Sequence, residues 1–267
     1  MRYTSCMSRK KLIVVSVVIV ILAAVVSFLI LKHDDSPLVR PITHSKSNQK
    51  KTDNPPQPAV FDAKKFSIDD STSLWAVVNK LRPLTPKTYV PSNLVVPNIP
   101  LRGNITSTEK YVRSDTATAL EKMVADATAQ GVHFNLQSGY RSYDFQVTLY
   151  NRYVQQQGQA AADTQSARPG YSEHQTGLAA DLGGTSNPSC NVEAFYGTTA
   201  ESNWLAANAD KYGFIVRYPQ DKTPITGYTY EPWHVRYIGT ELSTELQDKN
   251  IQTLEEFFGL PAAPDYQ

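Results

Sequence analysis

The chain has 267 residues, with 26 basic and 25 acidic side chains, 5 His, 2 Cys and a hydrophobic content of 41%. A charged fraction of only 19%, together with 15 Tyr and 9 Phe, excludes a disordered chain and predicts a hydrophobic core. Residues 1–51 carry nine Lys/Arg and two Asp, a net charge of +7, which leaves 17 basic and 23 acidic residues, a net charge of −6, in the remainder. Nucleic-acid binding relies on a concentrated basic face, so this mildly acidic main body argues against a nucleic-acid partner.

Residues 12–31 form an apolar run that is interrupted by only two Ser residues. At 1.5 Å rise per residue, a helix of this length spans about 30 Å, the thickness of the hydrocarbon core of a membrane. Basic residues precede the run and two Asp follow it, so the positive-inside rule predicts a cytoplasmic tail at 1–11. A cleaved signal peptide is the alternative, but the run ends without the small residues of a cleavage site. We therefore expect a single-pass anchor in the cell membrane, with the functional domain outside.

Residues 32–65 are rich in Lys, Ser, Asn, Gln and Pro and contain few large apolar side chains. Such a composition cannot bury enough surface to offset the entropy of ordering the chain. The sequence therefore predicts a flexible linker at 32–65 and a folded domain over 66–267. Cys6 precedes the membrane segment and Cys190 follows it, so the two cannot pair within one molecule, and the domain must rely on its core.

The first half of the domain is predicted to contain two helices and a strand. Residues 73–81 are predicted to form a short helix, and the Pro-rich residues 82–104 an extended surface loop. Within 108–130, apolar residues recur at spacings of 3 and 4, which indicates one buried helix face, and Gly131 ends that helix. These apolar residues are Ala117, Leu120, Met123, Val124 and Ala127. The alternation in 132–137 predicts a strand.

The second half continues with a mixture of helices and strands. The predicted elements are helices at 143–156, 201–212 and 240–258, and strands at 177–182, at 214–218 and from residue 228 onward. Helices and strands mix without a regular βαβ alternation, which favours an α+β fold with an antiparallel sheet.

Two histidines of the domain have neighbours suited to metal chemistry. His174 lies in a Gly/Pro/Ser-rich loop, and Asp181 ends an otherwise apolar strand, where a carboxylate is costly unless it is paired or ligates a cation. On an unbroken strand, Glu231 and His234 would face opposite sides of the sheet. Pro232 breaks the two-residue alternation of the strand, so both side chains could face the same side. Two imidazoles, one carboxylate and one free Glu are the parts of a catalytic zinc site. A structural, hydrogen-bonded pair explains the spacing of His174 and Asp181 equally well. The zinc motif H-E-x-x-H is absent from the sequence.

Four segments closely resemble the VanY-type zinc carboxypeptidases, which are D-alanyl-D-alanine carboxypeptidases with related L,D-carboxypeptidases. The resemblance covers residues 70–260 approximately, and its most specific strings are S-x-H-x6-D and E-P-W-H, in that order. It implies the compact α+β fold of these peptidases and of hedgehog-type domains, with a central antiparallel sheet. The matching segments are 138–142, 169–181, 211–219 and 226–239.

The resemblance also implies a role for each matching residue. The residues that match the ligands of one Zn²⁺ are His174, Asp181 and His234. Glu231 matches the catalytic base, which takes a proton from zinc-bound water as that water attacks the peptide carbonyl. Arg141 matches a substrate contact and can bind the terminal carboxylate through two parallel hydrogen bonds. Gln146 and Ser172 match further polar contacts to the substrate.

These observations predict a membrane-anchored, monomeric zinc carboxypeptidase that removes C-terminal D-Ala from peptidoglycan stem peptides. The sequence leaves open whether the bond cut is D-Ala–D-Ala or the preceding L-residue–D-Ala bond. A catalytically silent wall-binding module on the same fold is the alternative, although such a module should have lost a ligand or the base. Residues 107–110 fit the S-x-x-K string of penicillin-sensitive carboxypeptidases, but the partner strings S-D-N and K-T-G are absent.

Overall fold

A four-stranded antiparallel sheet lies at the centre of the fold in the computed structural model, which describes residues 61–106 and 108–267. The strands are β1 (Leu94–Val95), β2 (Val112–Arg113), β3 (Phe134–Ser138), β4 (Ala179–Gly184), β5 (Phe214–Tyr218) and β6 (Glu231–Tyr237). The central sheet has the order β3-β4-β6-β5, while β1 and β2 form a separate antiparallel pair. The predicted α+β class with a central antiparallel sheet is confirmed.

Helices surround this sheet, and several begin at side-chain caps. They are α1 (Ser114–Ala129), α2 (Tyr143–Gln157), α3 (Gln159–Gln165), α4 (Ala200–Asn208), α5 (Thr223–Thr226), α6 (Thr240–Asp248) and α7 (Leu254–Phe257). Single 3-10 turns lie at Glu173–Thr176, Pro188–Cys190, Ala194–Thr198 and Ala209–Tyr212. The side chains of Ser142, Thr199 and Thr253 accept hydrogen bonds from the first turns of α2, α4 and α7, which satisfies backbone donors that have no partner within the helix.

The main core lies between α1 and one face of the sheet. The apolar positions predicted to form one face of α1 are all buried, and Gly131 follows the helix with a left-handed φ of 78°. They belong to one cluster with Ala180 and Leu182 of β4 and Val235 of β6. Because successive strand residues point to opposite faces, Asp181 and His234 lie on the other face of the sheet.

The pairing of β6 with its two neighbouring strands determines which polar residues lie on that second face. Asp181 of β4 and His234 of β6 are direct pairing partners. Between β5 and β6, the pairing runs from Val216 with Val235 to Tyr218 with Glu231, so β6 has extra residues in this interval. The irregularity breaks the two-residue period, as the proline between Glu231 and His234 predicts, and the two side chains come within 3.7 Å of each other.

The prediction of a helix at 73–81 is wrong. These residues form turns and an isolated bridge between Asn79 and Arg82. Four consecutive residues, Trp75 to Val78, are each no more than 3% exposed. A surface helix buries only one face, so four consecutive buried side chains require an irregular path through the core.

Two other predicted helices are shorter in the structure than in the sequence pattern. Helix α1 begins at Ser114 rather than 108, because Val112–Arg113 pairs with β1. The segment 240–258 is divided into α6 and α7, and Asn250 lies between them with a φ of 53°. Asn tolerates this left-handed conformation, which ends a helix.

The predicted tail at 1–11, the predicted membrane helix at 12–31 and most of the predicted linker lie outside the described residues. Within the part of the chain that the structure describes, no helix is long and apolar enough to span a bilayer. Phe61 is stacked on Trp75, with ring centroids 5.5 Å apart, and it also contacts Phe257 edge to face. Residues from Phe61 onward thus belong to the compact unit Phe61–Gln267.

Candidate active site and metal centre

His174, Asp181 and His234 lie together on the polar face of the central sheet, and each is 3% exposed. One ligand atom from each residue lies within 4.8 Å of the other two. His174 Nε2 is 3.3 Å from Asp181 Oδ2, and His234 Nδ1 is 3.3 Å from Asp181 Oδ1. The structure therefore brings together all three residues that the sequence predicts as metal ligands.

The backbone brings His174 to the cluster through a tight turn. His174 lies in the 3-10 turn Glu173–Thr176, which ends at Gly177 with a left-handed φ of 69°. This turn leads directly into β4, on which Asp181 is the third residue. The two ligands thus come from one continuous turn and strand, while His234 comes from the neighbouring strand.

A backbone carbonyl fixes the ring of His174. Its Nδ1 is 2.7 Å from the carbonyl oxygen of Gly139, so Nδ1–H donates there and Nε2 faces Asp181. Gly139 has no room for a side chain, since an added Cβ would lie 2.2 Å from the carbonyl oxygen of Tyr111. The glycine lets the chain approach closely enough for its carbonyl to reach the imidazole.

Glu231 lies beside the cluster, with Oε2 3.7 Å from His234 Nδ1. Burial raises the pKa of Glu231 to about 8, an effect that His234 opposes and Asp181 strengthens. A divalent cation nearby would favour the charged carboxylate and lower that pKa. In this position Glu231 can exchange protons with a molecule bound at the cluster.

The two imidazoles have different electrostatic surroundings. Burial lowers the pKa of His174, and the neighbouring Arg141 adds to that effect. For His234 the carboxylates of Asp181 and Glu173 outweigh burial and raise the pKa to about 9. Ligation requires neutral imidazole, so metal binding must displace a proton from His234.

The chemistry of this cluster fits one zinc ion. Asp181 Oδ1 is buried and makes no hydrogen bond among the described residues, since the 3.3 Å contact with His234 lacks hydrogen-bond geometry. Burial opposes ionisation of Asp181, but His174 and Arg141 hold its pKa well below its usual value, so it is a carboxylate. A buried, unsatisfied anionic oxygen is costly, and a cation would satisfy it. Two imidazole nitrogens and one carboxylate are the ligands of catalytic zinc sites, which keep a fourth position open.

Arg141 lies at the edge of the cluster. Its Nη2 donates to Asp181 Oδ2 at 2.6 Å and its Nε donates to Ser138 Oγ at 2.9 Å. The side chain is 17% exposed, so it is positioned by the protein but remains accessible to a bound molecule.

The family follows from comparison with known proteins. A family model described as VanY, D-alanyl-D-alanine carboxypeptidase, matches residues 109–240. The chain is 43% identical over 192 residues to the putative carboxypeptidase YodJ of Bacillus subtilis, a match that covers 72% of this chain and 69% of that protein. The chain belongs to the VanY family.

Solved structures of related proteins extend this assignment. The VanY-family fold described here is similar to that of the LdcB LD-carboxypeptidase, with 41% identity, a TM-score of 0.66 and coverage of 71% of this chain and 87% of that one. It is also similar to a mutant of the vancomycin resistance D,D-pentapeptidase VanY in complex with Zn(II), with 31% identity, a TM-score of 0.57 and coverage of 71% and 99%. A zinc-bound relative agrees with the zinc cofactor that the ligand cluster indicates.

Gln146 and Ser172 are both buried in this VanY-family chain, at 1% and 4% exposure. Gln146 Nε2 donates to the carbonyl oxygen of Ala167 at 2.7 Å and to Ser166 Oγ at 3.2 Å. The donors of Gln146 therefore hold the loop that precedes Ser172, and its Oε1 makes no hydrogen bond among the described residues. Ser172 comes directly before the turn of His174.

Sequence reasoning missed a buried group of charged residues behind His234. It contains Glu173, Arg217, Arg236 and Glu255, and none of the four is more than 1% exposed. Burial would raise the pKa of Glu173, but Arg217 and Arg236 outweigh that effect and hold it below its usual value. A signal for this group is present in the sequence, because Arg217 lies in the apolar strand FIVRY and Arg236 in HVRY. Burying an unpaired arginine there costs free energy, just as burying Asp181 in β4 does.

Proposed function

We propose that this VanY-family chain is a zinc-dependent carboxypeptidase that removes C-terminal D-Ala from peptidoglycan stem peptides. The observation that carries the proposal is the buried cluster of His174, Asp181 and His234, with Glu231 at its edge. The family description and the names of the relatives support a peptide ending in D-Ala as the substrate.

The proposed chemistry assigns the metal and the base to different side chains. His174, Asp181 and His234 would hold one zinc ion, which when bound polarises a peptide carbonyl and lowers the pKa of a water molecule. Glu231 accepts the proton of the attacking water and then delivers it to the leaving amine of D-Ala. The Glu231 side chain is only 12% exposed, and this restricted contact with solvent favours transfer to a bound molecule.

A carboxypeptidase must also recognise the end of its substrate. Arg141 supplies a cation at the edge of the metal cluster, and two of its N–H groups are already held by Asp181 and Ser138. This anchoring fixes the guanidinium plane, so its remaining N–H groups can bind the terminal carboxylate of the peptide. Ser172 and the free Oε1 of Gln146 are proposed to bind the peptide as further polar contacts.

A narrower hypothesis concerns which peptide bond is cut, and it is L,D-specificity. The support is structural, since the TM-score of 0.66 to the LdcB LD-carboxypeptidase exceeds the 0.57 to the D,D-pentapeptidase. We infer that a peptide ending in an L-residue followed by D-Ala is the preferred substrate.

We further propose that residues 12–31 anchor the protein in the cell membrane with a cytoplasmic tail at 1–11. The support is the apolar length of the run and the basic residues before it. This arrangement would hold the enzyme, as a monomer, at the outer face of the membrane, where peptidoglycan peptides are accessible.

D-Ala release from two defined peptides tests the function. Full-length protein is incubated with a stem peptide ending in D-Ala–D-Ala and with one ending in L-Lys–D-Ala, with and without a chelator. Chelator-sensitive release that returns on zinc addition is expected, and the preferred peptide decides between D,D- and L,D-specificity. Zinc-loaded protein that releases D-Ala from neither peptide would contradict the proposal and favour a catalytically silent wall-binding module.

A further inference from the structure

A buried carboxylate, that of Glu173, lies behind the ring of His234. Glu173 begins the 3-10 turn that carries His174, and it is 1% exposed. Its Oε2 is 3.4 Å from His234 Nε2, whereas His234 Nδ1 is 3.3 Å from Asp181 Oδ1. One nitrogen of the ring therefore faces Glu173 and the other faces the metal cluster.

Two fully buried arginines hold the carboxylate of Glu173 in place. Its Oε1 accepts hydrogen bonds from Arg217 Nε and Arg236 Nη1, both at 2.8 Å. Arg236 also donates to the carbonyl oxygens of Leu74 and Ala76, at 3.1 and 2.8 Å. The two donors to Glu173 come from strands β5 and β6, and Arg236 is itself held by the carbonyls of Leu74 and Ala76. Glu173 therefore cannot turn away from His234 without breaking both of its hydrogen bonds to the arginines.

The charges in this group balance. Arg217 also forms two hydrogen bonds with Glu255, at 3.0 and 2.7 Å, and Asn79 donates to the same carboxylate at 2.9 Å. Two arginines and two glutamates thus compensate each other, which buried charges require. Glu255 completes this balance through Arg217 and Asn79, and within the described part of the chain it contacts neither imidazole, whereas Glu173 contacts His234 directly.

The arrangement matches that of the other imidazole. The carbonyl of Gly139 accepts a hydrogen bond from His174 Nδ1–H, which leaves Nε2 facing Asp181. A neutral imidazole carries one N–H, and an acceptor behind the ring decides which nitrogen remains free to ligate. We propose that Glu173 is a positioning residue, which holds His234 with Nε2 protonated and Nδ1 directed at the zinc position. This inference rests on the proposed zinc function.

Zinc affinity of two matched variants of the full-length chain tests the proposal. E173Q and E255Q each remove one carboxylate charge from the same buried group, but only Glu173 contacts His234. In E173Q we expect the zinc dissociation constant, measured by competition with a chromogenic chelator, to rise about 10- to 100-fold. In E255Q it should stay within about threefold of the wild-type value, even if the unfolding temperature falls as much as in E173Q.

A second variant covers the case in which E173Q does not fold. E173D keeps the charge that balances the arginines but withdraws the carboxylate from His234 by one methylene. Its zinc affinity should fall about tenfold, with a smaller loss of thermal stability than in E173Q. Zinc affinity within threefold of wild type in the folded Glu173 variants, or an equal loss in E255Q, would show that Glu173 serves only the structure. A wild-type chain that binds no zinc would instead refute the proposed function.

Discussion

His174 and His234 meet edge to face, with ring centroids 4.9 Å apart and ring planes at 86°. They present different nitrogens, Nε2 and Nδ1, to the two oxygens of the same carboxylate. Because the ligand atoms of both rings and of Asp181 lie within 4.8 Å of one another, a single ion in a tetrahedral site could bind all three.

Removing the metal is expected to lower both activity and stability. Binding to the folded state alone stabilises by about 2.7 kcal/mol at a ligand concentration of 100 Kd. For a domain of this size, that corresponds to a fall in Tm of about 5–10 °C when a chelator is added. Thermal unfolding with a chelator, and again after zinc is restored, measures the effect. An unchanged Tm would indicate that these buried side chains are stable without a cation.

Glu231→Gln should retain zinc and lose turnover. Gln preserves the size of the side chain but cannot accept the proton of the attacking water, so kcat should fall about 10²- to 10⁴-fold. Metal analysis and single-turnover release of D-Ala measure the two properties separately. Glu241→Gln, at a surface ion pair with Lys65, is the control and should behave as wild type. Turnover of E231Q within tenfold of wild type would exclude Glu231 as the general base.

Arg141→Lys should reduce the preference for a free C-terminal carboxylate. Lys keeps a positive charge near Asp181 but cannot form two parallel hydrogen bonds. Loss of a charged hydrogen bond costs about 1.5–3 kcal/mol, so kcat/KM for the acid peptide should fall about 10- to 100-fold. The same peptide with a C-terminal amide should be affected little. Arg152→Lys, on the exposed surface of α2, is the control. An equal effect on acid and amide peptides would contradict carboxylate binding by Arg141.

Gly139→Ala should destabilise the protein and weaken zinc binding. The added methyl would overlap the backbone carbonyl of Tyr111 and move the Gly139 carbonyl away from His174. Overpacking of this kind costs about 1–3 kcal/mol, or a Tm lower by about 3–10 °C. Gly103→Ala is the matched control, because its Cβ would meet no atom within 4 Å. Equal Tm values for the two variants would show that the loop at Gly139 adapts freely.

Glu255→Gln should lower stability in a pH-dependent way. Burial would raise the pKa of Glu255, but Arg217 and hydrogen bonds to it outweigh burial and hold it below the usual 4.5. A carboxyl group with a depressed folded-state pKa stabilises the protein above its unfolded pKa, and that stability is lost as the pH falls through the folded-state pKa. Breaking a buried ion pair costs about 3–5 kcal/mol, so the variant should show this deficit at pH 7.

Urea unfolding of wild type and E255Q at pH 7, 5 and lower values measures this difference. The free-energy gap between the two proteins should be constant near neutrality and narrow below about pH 4.5, where protonated Glu255 resembles Gln. A gap that persists unchanged into acid would mean that the charge of Glu255 is not what stabilises the group.

The sequence predicted the metal cluster through its resemblance to the VanY-type peptidases, and residues of the cluster also break local patterns. Asp181 interrupts an apolar strand, and the proline before His234 interrupts a two-residue period. The structure places these residues together, with Glu231 beside them. These departures from a local pattern are visible within a few residues of the chain.

Features that depend on distant residues were not predicted. Glu173 is separated from Arg217 and Arg236 by 44 and 63 residues, so its role in the fold appears only when β5 and β6 meet the turn of His174. The helix predicted at 73–81 fails for a related reason. Burial of Trp75 on all sides is set by packing with α6 and α7, which a local hydrophobic pattern does not contain.

The direct pairing of Asp181 with His234 also fixes the register of β4 relative to β6. A slip of one residue would place His234 opposite Ala180 or Leu182 and turn one of the two polar side chains toward the apolar core. The other residues of β4 are Ala, Leu and Gly, which would tolerate several alignments, whereas β6 also carries Arg236, whose ion pair with Glu173 opposes a slip as well. The residues that serve the chemistry thus also select one sheet among near-equivalent alternatives, and replacing them with apolar side chains would remove that selection as well as the activity.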